Sequence, residues 1–205
     1  MNEKFFSLPE EKKTAIINAG YRVFSQNSYK KSPMSEIAAE AGISKSLLFH
    51  YFKNKKELYL FLLTNAAETT YQYLYQFQCN ESEDIFEIMH RGLKAKLAMM
   101  RKYPDITAFA IKGYYETDPE VSDDIQKMIG RIASFEANEK FFKIDPEKFI
   151  PGLDLKMMYT DMYLASEGYL WEKFQQGRMN IDEMEKDFTK MIDFWKNIYL
   201  KKAFL

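Results

Sequence analysis

The chain is poor in the residues that most often carry chemistry. It has one cysteine, Cys79, so no disulfide can close within it, which fits a reducing compartment. Cys79 reads as a small, partly buried apolar residue rather than a redox centre. The two histidines, His50 and His90, and the lack of any Cys/His cluster leave no metal-ligand set. No glycine-rich phosphate loop and no nucleophile motif occurs, so neither a cofactor nor an enzyme activity is expected. Long apolar runs are missing too. The longest near the front, Leu58–Leu63, is far too short to span a bilayer. The amino terminus, MNEKFFSLPEEKK, is charged and has no apolar signal core. A soluble, cytoplasmic protein with no membrane partner is the expectation. No internal repeat, low-complexity segment or convincing strand is found.

What is abundant is aromatic and methionine side chains: 17 Phe, 14 Tyr, 2 Trp and 12 Met in 205 residues. That is ample for a core and suits one or two domains. Charge is unevenly placed. Residues 1–60 hold 10 Lys/Arg against 6 Asp/Glu, a balance of +4, while 61–205 carry −5, which returns the chain's net −1. A basic front before an acidic remainder points to a polyanion partner for the first part alone.

That front contains SPMSEIAAEAGISKSLLFHYFKNK, residues Ser32–Lys55. Ser32 is a candidate N-cap with Pro33 in the first helical position. Met34, Ile37, Ala38 and Ala41 recur at helical spacing. Gly42 breaks the helix, Ile43 plugs the corner and Ser44 caps the next helix. On that second helix Ser44, Leu48, Tyr51 and Phe52 share one side. Ser46, Leu47, Phe49 and His50 lie largely on the other. Two short helices joined by a tight glycine turn predict a helix-turn-helix whose second helix enters the major groove.

SEIAAEAGISKSLLFHYFKNKKEL resembles the signature of the TetR-like (tetracycline-repressor) family of bacterial transcriptional regulators. The resemblance covers about the first quarter of the chain. The isoleucine–alanine pair, the glycine turn, the Ser-Lys start, the aromatic cluster Phe49–Phe52 and the Lys-Asn-Lys-Lys-Glu-Leu that follows coincide in it. It implies an all-α fold: an N-terminal three-helix DNA-binding domain with a helix-turn-helix over 1–53, and a C-terminal helical bundle for ligand binding and dimerisation over 54–205, about nine helices in all. Candidate DNA contacts are Ser32, Ser35, Ser44, Lys45, Ser46, Leu47, Phe49, His50, Tyr51 and Lys55. Lys45 can reach a phosphate or a guanine edge, and Lys55 stands at a helix start, where a phosphate is attracted. Leu47 departs from the family's usual small polar residue, commonly Thr; it contacts a thymine methyl or simply packs. Ser46 replaces a frequent Gly, and Phe49 a common Tyr.

Around this motif the pattern predicts further helices. The first starts near Ser7, with capping-box spacing to Glu10 and Pro9 in its first turn. Asn54 and Glu57 open a long helix whose stripe runs from Leu58 to Phe77. Ser82 caps the next helix, Asp105–Lys112 forms a short one, and Asp118-Pro119 restarts the chain into a helix running to Phe142. Residues Ile144–Asp154 read as a loop with one turn, and helices follow over about Leu155–Gln176 and Ile181–Lys201.

The family resemblance implies a cavity for a small, probably lipophilic effector among the later helices. Candidate lining residues are Met99, Met100, Tyr103, Phe109, Tyr114, Met128, Phe135, Met158, Met162 and Tyr163, because methionine adapts to varied apolar guests and tyrosine adds a polar handle. The resemblance also implies a homodimer through the last two helices, with Ala165, Gly168, Phe188, Met191 and Trp195 as candidate interface residues. Such a dimer sets two reading helices roughly 34 Å apart, on a palindromic double-stranded DNA operator. The function expected is a ligand-responsive transcriptional regulator, a repressor released by its effector. Two readings of other classes stay open: a protein-interaction adaptor that has kept the helix-turn-helix with little specific DNA binding, and an enzyme acting on a lipophilic substrate in the helical cavity.

Overall fold

The computed structural model describes residues 3–79, 81–139, 144–177 and 180–205, and for 131–139 the backbone alone. Among the described residues the fold is all-helical. It comprises α1 (Glu3–Phe6), α2 (Glu10–Gln26), α3 (Met34–Glu40), α4 (Lys45–Tyr51), α5 (Lys55–Gln76), α6 (Ile85–Lys102), α7 (Ile106–Tyr114), α8 (Ser122–Glu139), α9 (Leu155–Gln175) and α10 (Ile181–Tyr199). Two 3-10 turns, Pro146–Lys148 and Lys202–Phe204, and an isolated antiparallel bridge between Phe149 and Leu200 complete it. No helix among the described residues is long and apolar enough to cross a membrane.

The chain divides into two compact units. The first is Met1–Thr69 with Lys102–Ala133; the second is Thr70–Arg101 with Ser134–Leu205. The division falls inside α5, α6 and α8, so the first unit reaches beyond residue 53 to include the front of α5 and all of α7.

Several helix starts differ from the pattern-based expectation. Ser7 does not cap; its hydroxyl donates to the Lys4 carbonyl at 3.0 Å. A short helix, α1, precedes it, and Pro9 stands just before α2. Ser32 is not an N-cap either. Pro33 occupies that place, and α3 begins one residue later, at Met34. At the start of α6 the cap is Asp84, whose carboxylate accepts from Phe86 N at 2.8 Å, while Ser82 only accepts from Asp84 N. Asp118-Pro119 forms a turn, and α8 opens at Ser122. Phe142, expected at the end of that helix, lies outside the described residues.

The first unit is built on aromatic rings. Phe5 of α1 is 1% exposed and sits 5.0 Å from Phe52, 5.3 Å from Phe61 and 5.9 Å from Tyr51, measured between ring centroids. Phe109 of α7 lies 5.1 Å from Tyr21, 5.4 Å from Tyr59 and 6.1 Å from Phe24. Glycines let α2 and α7 close against α5. A Cβ at Gly20 would stand 2.4 Å from Leu62, and one at Gly113 would stand 2.6 Å from Leu63. The second unit packs Ile85, Phe86, Phe149, Met158, Met162, Ile192, Trp195 and Leu200 into one apolar cluster. Asp154 and Asn180 cap α9 and α10 by accepting from backbone N–H groups.

Candidate nucleic-acid interface

The turn between α3 and α4 is fixed by its own backbone. Gly42 adopts φ +66°, which strains any residue with a Cβ. Ile43 N donates to Ala38 O at 2.9 Å and Gly42 N to Ala39 O at 3.1 Å, the paired closure of a Schellman motif. Ser44 then caps α4 by accepting from Leu47 N at 3.1 Å. Leu48 and Phe52 are fully buried, and Tyr51 nearly so. These three set the rotation of α4, and Lys45, Ser46, Leu47, Phe49 and His50 are all left exposed. The ammonium of Lys45 lies 5.9 Å from the centre of the Phe49 ring.

The structure separates the sequence candidates. Lys45, Ser46, Leu47, Phe49 and His50 are brought together on the outer side of α4, and Ser35 is exposed on α3. Ser32 is a correction. It is 0% exposed, and its hydroxyl donates to Ser28 O at 2.9 Å, so it closes the preceding turn and does not face a phosphate. Ser44 accepts from Leu47 N in its cap, and its exposed hydroxyl keeps a proton to donate. Tyr51 is 8% exposed and packs against Phe5. Lys55 turns inward: its ammonium donates to Lys30 O at 3.1 Å and lies 4.5 Å from the centre of the Tyr29 ring. The α5 start already has its own acceptors. Asn54 accepts from Glu57 N at 2.8 Å, and Glu57 accepts from Lys53 N.

Sequence reasoning passed over Lys30 and Lys31, which are exposed just before α3, and Lys53, exposed just after α4. The basic run Lys30-Lys31 was the signal. Their loop is held from both sides. Lys55 grips the Lys30 carbonyl, and Glu116 accepts from Tyr29 N at 2.9 Å. The other carboxylate oxygen of Glu116 accepts from Thr117 N and Asp118 N, each at 3.0 Å. Lys112 adds a bond to Ser25 O at 3.2 Å, and burial pushes its ammonium pKa below the usual lysine range against the pull of Glu116. Lys56 pairs with Asp124 at 2.8 Å; the hydrogen bond raises the lysine's pKa and lowers the carboxylate's. Tyr29 is nearly fully buried, so losing Glu116 leaves its N–H without its acceptor. Glu116→Ala is expected to lower the free energy of unfolding by about 1–3 kcal/mol in urea titrations, with Glu116→Gln, which keeps one acceptor oxygen, losing less. Equal midpoints for all three proteins would show that the bond carries no stability.

The residues proposed for an effector are divided between the two units. Tyr103 and Phe109 are buried in the aromatic core of the first unit, Tyr103 at 6.3 Å from Tyr21. Tyr114 is 52% exposed, and Met128 receives a 3.9 Å contact from the Thr64 hydroxyl. Met99, Met100, Met158 and Met162 are buried in the second unit, with Met99 accepting from the Thr70 hydroxyl at 3.5 Å. Tyr163 is exposed. The side chain of Phe135 lies outside the described residues. Two surface hollows of the second unit, about 80 and 340 Å³, are lined around Phe149, Leu153 and Leu200 and touch none of these residues.

The dimer candidates also divide. Trp195 is 5% exposed and sits in the core of its own unit, with Met191 packed against that core. Phe188 meets Tyr169 at 4.9 Å. Ala165 and Gly168 are exposed, and nothing lies within 4 Å of a Cβ placed on Gly168. The large exposed residues nearby, missed in the sequence, are Met157, Leu164 and Trp171 on α9 and Phe194 and Ile198 on α10.

Comparison with known proteins matches the segment that carries the helix-turn-helix. Residues 16–61 match the model of bacterial regulatory proteins of the tetR family. The HTH-type transcriptional regulator RutR of Escherichia coli (strain K12) is 28% identical over 149 residues, 68% of each chain. The biofilm operon icaADBC HTH-type negative transcriptional regulator IcaR of Staphylococcus aureus (strain Newman) is 24% identical over 204 residues, covering 93% of this chain and all of that one. The transcriptional regulator FadR of Bacillus subtilis, solved in complex with stearoyl-CoA, shares the fold with a TM-score of 0.61 at 15% identity, covering 88% of this chain and 96% of that one.

Proposed function

We propose that this chain, a TetR-like transcriptional regulator, is a repressor that binds a palindromic operator as a homodimer and leaves it when a small lipophilic effector binds the second unit. The observation that carries the reading is α4: a capped helix behind a fixed glycine turn, exposing Lys45, Ser46, Leu47, Phe49 and His50 on one side. Phosphate contacts come from Lys30, Lys31 and Lys53, whose charges flank the motif, and from Ser35. IcaR is a negative regulator by name, which supports repression. FadR was solved with stearoyl-CoA, which supports an effector with an apolar chain. The buried methionines Met99, Met100, Met158 and Met162 are the proposed lining, since they can repack around such a guest. The dimer forms through the exposed apolar side of α9 and α10. The effector acts by favouring a dimer with a different separation of its two α4 helices, and the coupling is bounded by its difference in affinity for the two states.

The test is fluorescence-anisotropy binding to the DNA flanking the protein's own coding region, with random DNA as competitor and salt varied. Specific, salt-sensitive binding supports the reading; binding no tighter than to random DNA across a genome-wide fragment selection turns it towards a protein-interaction adaptor. Lys45→Ala is expected to weaken operator binding by about tenfold or more and to lower the salt slope by about 1. Unchanged affinity and slope would remove Lys45 from the interface.

A further inference from the structure

We propose that α4 reads thymine methyl groups, with Leu47 and Phe49 as its specificity-determining residues. The inference rests on the DNA-binding reading above and names what that site recognises. Leu48 and Tyr51 turn one side of α4 into the core. The side opposite them carries Ser46 and His50 at its centre, with Leu47 on one flank and Phe49 on the other. Leu47 is 37% and Phe49 40% exposed. Each therefore presents apolar surface on the side of α4 that would enter the major groove. Neither has a hydrogen-bonding atom with which to address a purine edge. In the major groove the apolar feature that separates one base pair from the others is the thymine C5-methyl. Ser46, between the flanks, is short enough for the helix to approach the bases closely. Lys45, drawn over the Phe49 ring, leaves its charge beside an apolar pad.

The experiment starts from sites enriched by the full-length protein from a random duplex pool. Each thymine of the enriched half-site is then replaced in turn by deoxyuridine, which removes one methyl and leaves pairing unchanged. The expected result is a loss of about fourfold in affinity at one or more positions, the worth of one buried methyl-sized group. In Leu47→Ala or Phe49→Ala the loss disappears at the position that residue covers, while Lys45→Ala keeps it. Both flanking residues are exposed, so the variants should retain the helical circular-dichroism spectrum. Equal binding of all thymine and deoxyuridine sites, or an unchanged deoxyuridine penalty in both alanine variants, overturns the inference and leaves the regulator reading standing. A pool that yields no enriched sequence overturns both, and does so before any methyl is varied.

Discussion

Phe109→Ala is expected to lower the free energy of unfolding by about 3–5 kcal/mol and, through the first unit, to remove the proposed operator binding at temperatures where the wild-type protein stays folded. Phe109 belongs to α7, outside the helix-turn-helix in sequence. Its ring is 0% exposed and wedged among Tyr21, Phe24 and Tyr59, so truncation leaves a cavity lined by rings that cannot collapse freely. The two helices that hold α3 and α4 in place, α2 and α5, both line that cavity. Tyr21 is further fixed by donating its hydroxyl to Asn65 at 2.8 Å. Denaturant unfolding gives the stability loss, and anisotropy titration at several temperatures gives the coupled loss of DNA binding. A fragment of residues 1–53, which lacks Phe109, Tyr59 and Leu62, is expected to be unfolded for the same reason. A cooperative melt from that fragment, or a loss under about 1 kcal/mol in Phe109→Ala, would show that the four amino-terminal helices, α1 to α4, are self-sufficient.

The helix-turn-helix was legible because its signals are local. Gly42 must take a positive φ, Ser44 must cap the residue three on, and Asn54 and Glu57 form their box within four residues. Each of these needs only neighbours in sequence. Ser32 had the same local credentials and failed, because Pro33 took the cap position while the buried turn claimed the serine hydroxyl. Glu116 could not be found at all by pattern: its partner at Tyr29 is 87 residues away. The effector candidates were chosen by composition, and composition does not distinguish one apolar core from another. Phe109 and Met158 look alike in sequence yet belong to different units. On α9 the helical period was itself ambiguous. Met158 and Met162 face the core, but Met157, Leu164 and Trp171 make the far side apolar too, so no single stripe stood out.

That far side sets the last expected result: the double variant Leu164→Glu, Phe194→Glu is a monomer with operator affinity reduced by at least a hundredfold. Leu164 and Phe194 are each 61% exposed, so neither is needed for the core of its own chain. Met157, Leu164, Gly168 and Trp171 recur on α9 at spacings of seven, four and three, which places them in one row opposite the buried Met158 and Met162. Phe194 and Ile198, four apart, extend the apolar surface on α10. Gly168 lets a second backbone approach without a Cβ between. Burying an unpaired carboxylate on such a surface costs several kcal/mol, enough to raise the dimer dissociation constant by two orders of magnitude or more. Losing the dimer also loses the effective concentration that delivers the second α4 to its half-site, about 10²–10⁴ in affinity. Sedimentation reads the first effect and anisotropy the second, with Asp193→Lys, exposed on the same helix but about 100° round it from Phe194, as the control that stays dimeric. Trp195→Ala gives the contrast. Because Trp195 is inside the core, its truncation should lower the melting temperature of the second unit rather than dissociate a folded dimer. A double variant that sediments as a dimer would move the proposed interface off this face, and a folded, monomeric Trp195→Ala would return Trp195 to it.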